Sequence, residues 1–340
     1  MNVDLPLPNR PAVKLYRDLD QLPVAYRGGA VAIGNFDGVH RGHACIVERL
    51  LAMARTMQAP ALAFTFDPHP ARLLHPEQAP APLCWTERKA QLLVELGVDA
   101  VLAYPTDKGF LGMEARQFFD QIVRGRLQAR GMVEGSNFFF GHNRGGTVEV
   151  LRQFCNQSGL LLERVESVEI DGQIVSSSLI RRLVVAGRLE EAGRLLTRPY
   201  RIRGTVVHGA GRGNRLGYPT ANVEGIDTLL PGEGIYAGRV WLGDSCHAAA
   251  VSIGPNPTFH EQTLKVEAYV LDFQGDLYDR PIELDFLARL RDMVRFDSAA
   301  QLVAEMARDV ETTRRLCATY SSTGPQAPNT ATILRPQDSP

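Results

Sequence analysis

The chain has 340 residues, enough for two domains, with 44% hydrophobic and 22% charged residues, as in an ordinary soluble protein. Its formal net charge of −1 gives no ground for a nucleic-acid or acidic-membrane surface, and no uninterrupted apolar run is long enough to span a bilayer. The five cysteines, Cys45, Cys84, Cys155, Cys246 and Cys317, are scattered and form no C-x-x-C pair, which argues against a disulfide framework or a zinc site and for a reducing cytoplasm.

Residues 1–25 read as an irregular lead-in; the first eleven are proline-rich and lack the basic start and apolar core of a signal peptide. Ala30-Val31-Ala32-Ile33 is a buried strand by its composition. A glycine-rich turn, Gly34-Asn35-Phe36-Asp37-Gly38-Val39-His40-Arg41-Gly42-His43, leads from it into a helix over 44–57, where Ala44, Val47, Leu50, Leu51, Ala54 and Met57 recur at helical spacing. A second apolar run, 61–66, ends in Asp67-Pro68-His69-Pro70. Helices are expected over 87–96, capped by Thr86 and stopped at Gly97, over 114–128 and over 148–156. Strands are expected at 100–104, 131–135 and 160–168. This alternation implies βαβ units and a Rossmann-like parallel sheet covered on both faces, with ligands at the carboxyl ends of its strands. Ser176-Ser177-Ser178 opens a further helical stretch through Leu196, and Thr197-Arg198-Pro199 marks a boundary.

Beyond Tyr200 the period changes. Strands are expected at 200–207, 234–242, 246–253, 264–271 and 277–286, with turns at Gly243-Asp244 and Gly275-Asp276, which suggests an antiparallel β-barrel. One helix over 299–317 closes it, with Ser298 as N-cap and Gln301 completing a capping box. The tail from Ser321 has no core-forming pattern and reads as disordered. The expected organisation is a lead-in (1–25), a nucleotide-binding domain (26–187), a linker (188–199), a barrel (200–320) and a tail (321–340).

Two stretches carry chemistry. His40-Arg41-Gly42-His43 follows a strand and opens a helix, whose start offers N–H groups and partial positive charge to phosphate. That context suits nucleotidyl transfer, where an acceptor oxyanion attacks the α-phosphorus of ATP and fixed donors stabilise the departing pyrophosphate. The block 209–222, Gly-Ala-Gly-Arg-Gly-Asn-Arg-Leu-Gly-Tyr-Pro-Thr-Ala-Asn, is either a long glycine-rich hairpin or a second phosphate loop. Thr220 and Asn222 lie two residues apart, on one side of an extended chain, and both are hard oxygen ligands suited to Mg²⁺. His69 is open between a ligand and a structural histidine, and 143–146 between a phosphate or flavin loop and a flexible turn.

These motifs resemble the bacterial bifunctional riboflavin kinase/FMN adenylyltransferase family. The pattern continues through Thr65-Phe66-Asp67-Pro68-His69-Pro70, residues 133–141, Ser176 to Arg181, the P-T-A-N block ending at Asn222, and residues 231–237, 252–259 and 266–273. The resemblance implies that Gly34, Phe36, Asp37 and Gly38 form the nucleotide loop and that His40 and His43 polarise the ATP phosphates. It implies that Ser177, Ser178 and Arg181 contact those phosphates and that Asn137 and Phe138 line the adenylylation cleft. In the second half it implies that Gly209, Gly213, Gly217 and Pro219 shape an ATP loop, that Thr220 and Asn222 hold Mg²⁺ and ATP, and that Glu267 is the general base for riboflavin. From the residues alone Glu267 is an ordinary exposed strand position between core-facing Val266 and Ala268. Arg291 resembles a position near the flavin, and a solvated helix charge accounts for it as well. Two departures stand out: Asn137 where many members carry aspartate, and Asn214 where arginine is common.

The reading is a two-module enzyme with riboflavin, FMN, FAD, ATP and Mg²⁺ as its small molecules, without nucleic-acid or membrane partners, and a monomer or weak homo-oligomer. Another H-x-G-H nucleotidyltransferase with an unrelated barrel would not require the P-T-A-N block. A flavin or nucleotide carrier without turnover would not require the full set of reactive residues.

Overall fold

A computed structural model describes residues 13–209, 212–255 and 264–323. The chain divides into two compact units, with the division between Leu179 and Ile180.

In the first unit, β1 (Leu15–Tyr16), β2 (Ala30–Ile33), β3 (Ala61–Asp67), β4 (Ala100–Pro105), β5 (Gly131–Gly135) and β8 (Leu161–Val165) form one parallel sheet in the order β1-β4-β3-β2-β5-β8. Its helices are α1 (Arg41–Met57), α2 (Pro70–Leu74), α3 (Thr86–Glu95), α4 (Lys108–Leu111), α5 (Ala115–Gln117) and α6 (Val148–Ser158). Two small hairpins complete it, β6 (Phe139–Phe140) with β7 (Gly146–Thr147), and β9 (Glu169–Ile170) with β10 (Gln173–Ile174). Small residues face one side of the sheet: Ala30, Ala32, Ala61 and Ala63 pack with Val47, Leu50, Leu92 and Leu93 of α1 and α3. Larger ones face the other: Val31, Ile33, Leu62 and Phe64 pack with Phe118, Phe119 and Phe140.

The expected parallel sheet is present, with local corrections. The helix expected over 114–128 is a single α-turn followed by a π-helix at Phe118–Arg126, in which the Leu127 N–H reaches back five residues to the Ile122 carbonyl. The wider turn buries the adjacent pairs Phe118, Phe119 and Ile122, Val123 together. Thr86 lies inside α3 and Trp85 is its N-cap. The stretch from Ser177 to Leu196 is two helices, α7 (Ser177–Val185) and α8 (Leu189–Leu195). Gly187 breaks it, with φ of 70°, and a Cβ there would lie 2.8 Å from the Tyr236 hydroxyl. The segment expected as a linker, read as helical through Leu196, carries α8, which packs on strands of the barrel.

The second unit is a closed antiparallel barrel, β11-β12-β15-β14-β13-β16. Its elements are β11 (Tyr200–Val207), the short α9 (Arg212–Arg215), β12 (Thr220–Glu224), β13 (Gly234–Leu242), β14 (Ser245–Gly254), β15 (Lys265–Val270) and β16 (Pro281–Arg291), then α10 (Ala299–Thr323). The interior takes every second residue: Ile202 and Val206, Tyr236 and Val240, Val251 and Ile253, Val266 and Ala268, Leu284 and Phe286 are all buried. The last strand begins and ends later than the sequence pattern suggests, because β16 pairs with β11 from Pro281 and with β13 out to Arg291. The helix α10 continues to Thr323, past the expected start of the tail; residues 324–340 lie outside the described residues. Ser298 accepts from the Gln301 N–H at 3.3 Å, while the Gln301 side chain accepts from Asp297 rather than from Ser298.

On the outer face, Asp285 is 1% exposed and receives both Nε and Nη2 of Arg201, Nη2 of Arg239 and Nε1 of Trp241. Burial alone pushes this carboxyl up, but the two guanidiniums outweigh it and hold Asp285 below the usual carboxylate range.

Candidate active sites

The turn between β2 and α1 adopts backbone that side chains rarely take. Phe36, Gly38 and Val39 have φ of 46°, 80° and 40°. Only the glycine does so without strain; burial of the Phe36 and Val39 side chains, 2% and 0% exposed, offsets it for the others. His40 is the N-cap of α1, and its N–H donates to Nδ1 of His43 at 3.3 Å. The two imidazoles stack, with centroids 3.6 Å apart and planes inclined by 17°. Phe36 meets His43 edge-on at 5.3 Å. A Cβ on Gly42 would come within 3.2 Å of the His40 ring, so glycine leaves that ring room over the first turn. His40 is buried, its Nδ1 has no hydrogen-bond partner among the described residues, and burial lowers its pKa to about 4. Near neutral pH it is therefore an uncharged imidazole with an unsatisfied ring nitrogen at a helix start.

Distant parts of the chain hold this turn. The Ser177 hydroxyl donates to the Asp37 carbonyl at 2.9 Å. Both Asp37 carboxylate oxygens accept from the Leu83 N–H, at 2.9 and 3.1 Å, so this side chain fastens the 83–84 segment beside the turn. Thr65 donates to the Asn35 carbonyl at 3.1 Å. Glu134 solves a different problem. β2 pairs with β3 along Ala30–Ile33 but with β5 only at Ala30 and Val31, so the two strands part where the strand order reverses. The Glu134 carboxyl, 2% exposed, accepts the Ile33 N–H in that gap at 2.9 Å, and burial raises its pKa well above the ordinary value.

The serine run divides its labour. Ser176 caps the helix through the Leu179 N–H at 3.2 Å, Ser177 ties to Asp37, and Ser178 is exposed. Arg181 falls beyond the unit division, one turn further along α7. Asn137 is exposed, and a Cβ on Gly135 would lie 3.2 Å from its Oδ1. Phe138 is half-buried and stacks on Phe140 at 5.4 Å. It belongs to an aromatic wall that includes Phe66, Tyr104 and Phe110. His69 caps α2 by accepting the Ala71 N–H at 3.1 Å, a structural role. In the 143–146 turn Arg144 lies over the Phe139 ring at 4.1 Å.

In the barrel, cross-strand register brings the second set together. Asn222 of β12 pairs with Glu267 of β15, which pairs with Ser252 of β14; Thr220 pairs with Tyr269. Val266 and Ala268 are buried, so Glu267 points outward with Asn222 and Thr220 on the same face. The glycine loop lies against this face. A Cβ on Gly209 would sit 2.1 Å from Asn222 Nδ2, and one on Gly213 would sit 2.3 Å from the Tyr218 carbonyl and 3.1 Å from Thr220 Oγ1. Gly217 turns the chain with φ of 84° before Pro219 leads into β12. Ala210, Gly211 and residues 256–259 of the matched segments lie outside the described residues. Arg291 ends β16 rather than lying on a helix, and its guanidinium is engaged by Asp309 of α10 at 2.8 Å.

Thr65, Glu134, Tyr269 and Ser252 lie in the stretches that carry the family resemblance, but the sequence assigns none of them a role. A lone carboxylate inside the apolar strand at 131–135 was the one available signal for Glu134.

Residues 23–179 match the family described as FAD synthetase, and residues 196–317 the family described as riboflavin kinase. A relative from Pseudomonas fluorescens named bifunctional riboflavin kinase/FMN adenylyltransferase is 36% identical, across 90% of this chain and 98% of its own. The protein of that name from Escherichia coli K12 is 34% identical, across 89% of this chain and 97% of its own. A solved structure described as a macrolide-efflux protein from Streptococcus pneumoniae is similar with a TM-score of 0.79 at 30% identity, covering 88% of this chain and 98% of that one. Among the described residues of the present chain, no helix is long and apolar enough to cross a membrane.

Proposed function

This chain belongs to the bifunctional riboflavin kinase/FMN adenylyltransferase family, and from that premise we propose how its residues divide the two reactions. The protein phosphorylates riboflavin to FMN with MgATP and adenylylates FMN to FAD with release of pyrophosphate. The observation that carries the division is that the stacked histidine turn and the Thr220–Asn222–Glu267 face each lie within one unit.

In the first unit an FMN phosphate oxygen attacks the α-phosphorus of ATP, and the bond to the β-phosphate oxygen breaks. His40 and His43 donate to the phosphate chain at the start of α1, with Ser178 and, by the family resemblance, Arg181 as further donors; the one hydroxyl proton of Ser177 is taken by the Asp37 carbonyl, so Ser177 serves the phosphates by holding the turn. The loop formed by Gly34, Phe36, Asp37 and Gly38 brings backbone close to the nucleotide. Asn137 and Phe138 line the cleft, and the aromatic wall behind Phe138 offers the isoalloxazine ring a stacking surface.

In the second unit Glu267 accepts the proton of the ribityl 5′-hydroxyl as that oxygen takes the γ-phosphoryl group and ADP leaves. Gly209, Gly213, Gly217 and Pro219 shape the loop over the nucleotide. The Thr220 hydroxyl and Asn222 amide oxygen would hold Mg²⁺; their shared face and the space left by the two glycines that crowd them fit a hard cation that keeps water and phosphate ligands. Mg²⁺ supplies neutralisation of phosphate charge. Arg291, held by Asp309, borders the flavin through the end of β16.

We place the adenylyltransferase at 26–187 and the kinase at 200–320, and assign the protein to the cytoplasm as a monomer or weak homo-oligomer without nucleic-acid partners. Five free cysteines and the net charge of −1 support that setting. Incubation of the purified protein with riboflavin and MgATP, followed by chromatography, tests the reading: FMN forms first and FAD follows. Absence of both flavins would sink it.

A further inference from the structure

Lys89 is a buried cation that neither reaction has been given. It lies on α3, beside Ala90 and Leu93, which face the sheet, and is only 6% exposed. Its ammonium donates to Thr65 Oγ1 at 3.3 Å, and that hydroxyl in turn donates to the Asn35 carbonyl at 3.1 Å. Thr65 is itself 1% exposed. Among the described residues Lys89 forms no ion pair and no other side-chain hydrogen bond. The acids closest in sequence to the three members of this relay have partners elsewhere: Asp67 at the end of β3 and Glu87 on the same helix both bind Arg17, and Asp37 holds Leu83. A buried charge without a counter-charge is unfavourable. An anionic ligand at the site would offset that cost.

The relay points to that ligand. Asn35 is the second residue of the turn that leads into α1. In a trans peptide the C=O and the following N–H are antiparallel. Holding the Asn35 carbonyl toward Thr65 therefore directs the Phe36 N–H away from the ammonium, and this N–H has no hydrogen-bond partner among the described residues. We propose that Lys89 is the positioning residue of the adenylyl-transfer site: it acts through Thr65 to fix the Asn35–Phe36 peptide for a polyphosphate, and the polyphosphate supplies its missing counter-charge. The inference rests on the reading of residues 34–43 as the ATP site.

The test uses the full chain with Lys89→Met and, separately, Thr65→Val. Both reactions are assayed in each preparation, and melting is followed with and without pyrophosphate. Lys89→Met should raise the KM for ATP in FMN adenylylation about tenfold or more, with a smaller change in kcat. The KM for ATP in riboflavin phosphorylation should stay within about twofold. Without pyrophosphate the variant should melt at or above the wild-type temperature, since an uncompensated charge is gone, and pyrophosphate should stabilise it less than the wild type. Thr65→Val should raise the adenylylation KM in the same direction. An unchanged adenylylation KM in Lys89→Met, equal losses in both reactions, or a variant that melts early or fails to fold would overturn the proposal. If the wild type itself does not adenylylate FMN, the reading of the site falls instead.

Discussion

The Ser177 hydroxyl and the Asp37 carbonyl meet at 2.9 Å across 140 residues of sequence, fastening the start of α7 to the turn that carries His40 and His43. A net hydrogen bond of this kind contributes about 1 kcal/mol. Ser177→Ala should therefore cost the first unit little stability yet loosen the turn, lowering kcat/KM for FMN adenylylation by roughly tenfold to a hundredfold. Riboflavin phosphorylation should be unchanged. Ser178→Ala, at an exposed position, should leave stability untouched, so any loss of adenylylation there reports a direct ligand contact. Steady-state kinetics and melting of both variants check this.

His40 sets an acid limit on the first unit. Its folded pKa of about 4 lies below the unfolded value of 6.5, so between those pH values the unfolded chain binds a proton that the native chain does not. Stability is full above pH 6.5 and falls as pH drops toward 4, by about 3 kcal/mol in total for this one group. Denaturant unfolding of wild type and His40→Asn across that range measures it. The variant should show a flatter acid limb. Identical limbs would mean that His40 titrates normally in the folded protein.

Asp285 holds two arginines and a tryptophan against the outside of the barrel. Asp285→Asn leaves Arg201 and Arg239 buried with less than their countercharge, and removing one partner of a buried pair typically costs about 3–5 kcal/mol. The barrel unit should unfold at clearly lower denaturant concentration. At temperatures where it stays folded, its KM values for riboflavin and ATP should be near wild type, because Asp285 lies outside the Thr220–Asn222–Glu267 constellation.

Much of this architecture was legible in the residues because period and punctuation agree. Alternating helix and strand signals foretold the parallel sheet, and Thr220 and Asn222 fall on one face because strand side chains alternate. What escaped depends on contacts distant in sequence. Gly187 breaks a helix that local spacing would continue, because Tyr236, 49 residues on, occupies the space a Cβ would need. Phe118 and Phe119 are both buried from a π-helix, whose wider turn local spacing does not announce. Glu134 looks misplaced in an apolar strand until β2 and β5 are seen to part at Ile33. Arg291 could be assigned to neither flavin nor solvent from sequence, since its partner Asp309 lies on a helix packed there by the fold.

The central claim is that two separate sites perform two reactions, and paired substitution tests it. Glu267→Gln and His43→Ala are each given riboflavin or FMN with MgATP, and flavin products are separated. Glu267→Gln should lose FMN formation by about a hundredfold or more while still converting supplied FMN to FAD. His43→Ala should accumulate FMN and form little FAD. Loss of both reactions in either variant, with the protein still folded, would contradict the two-site account.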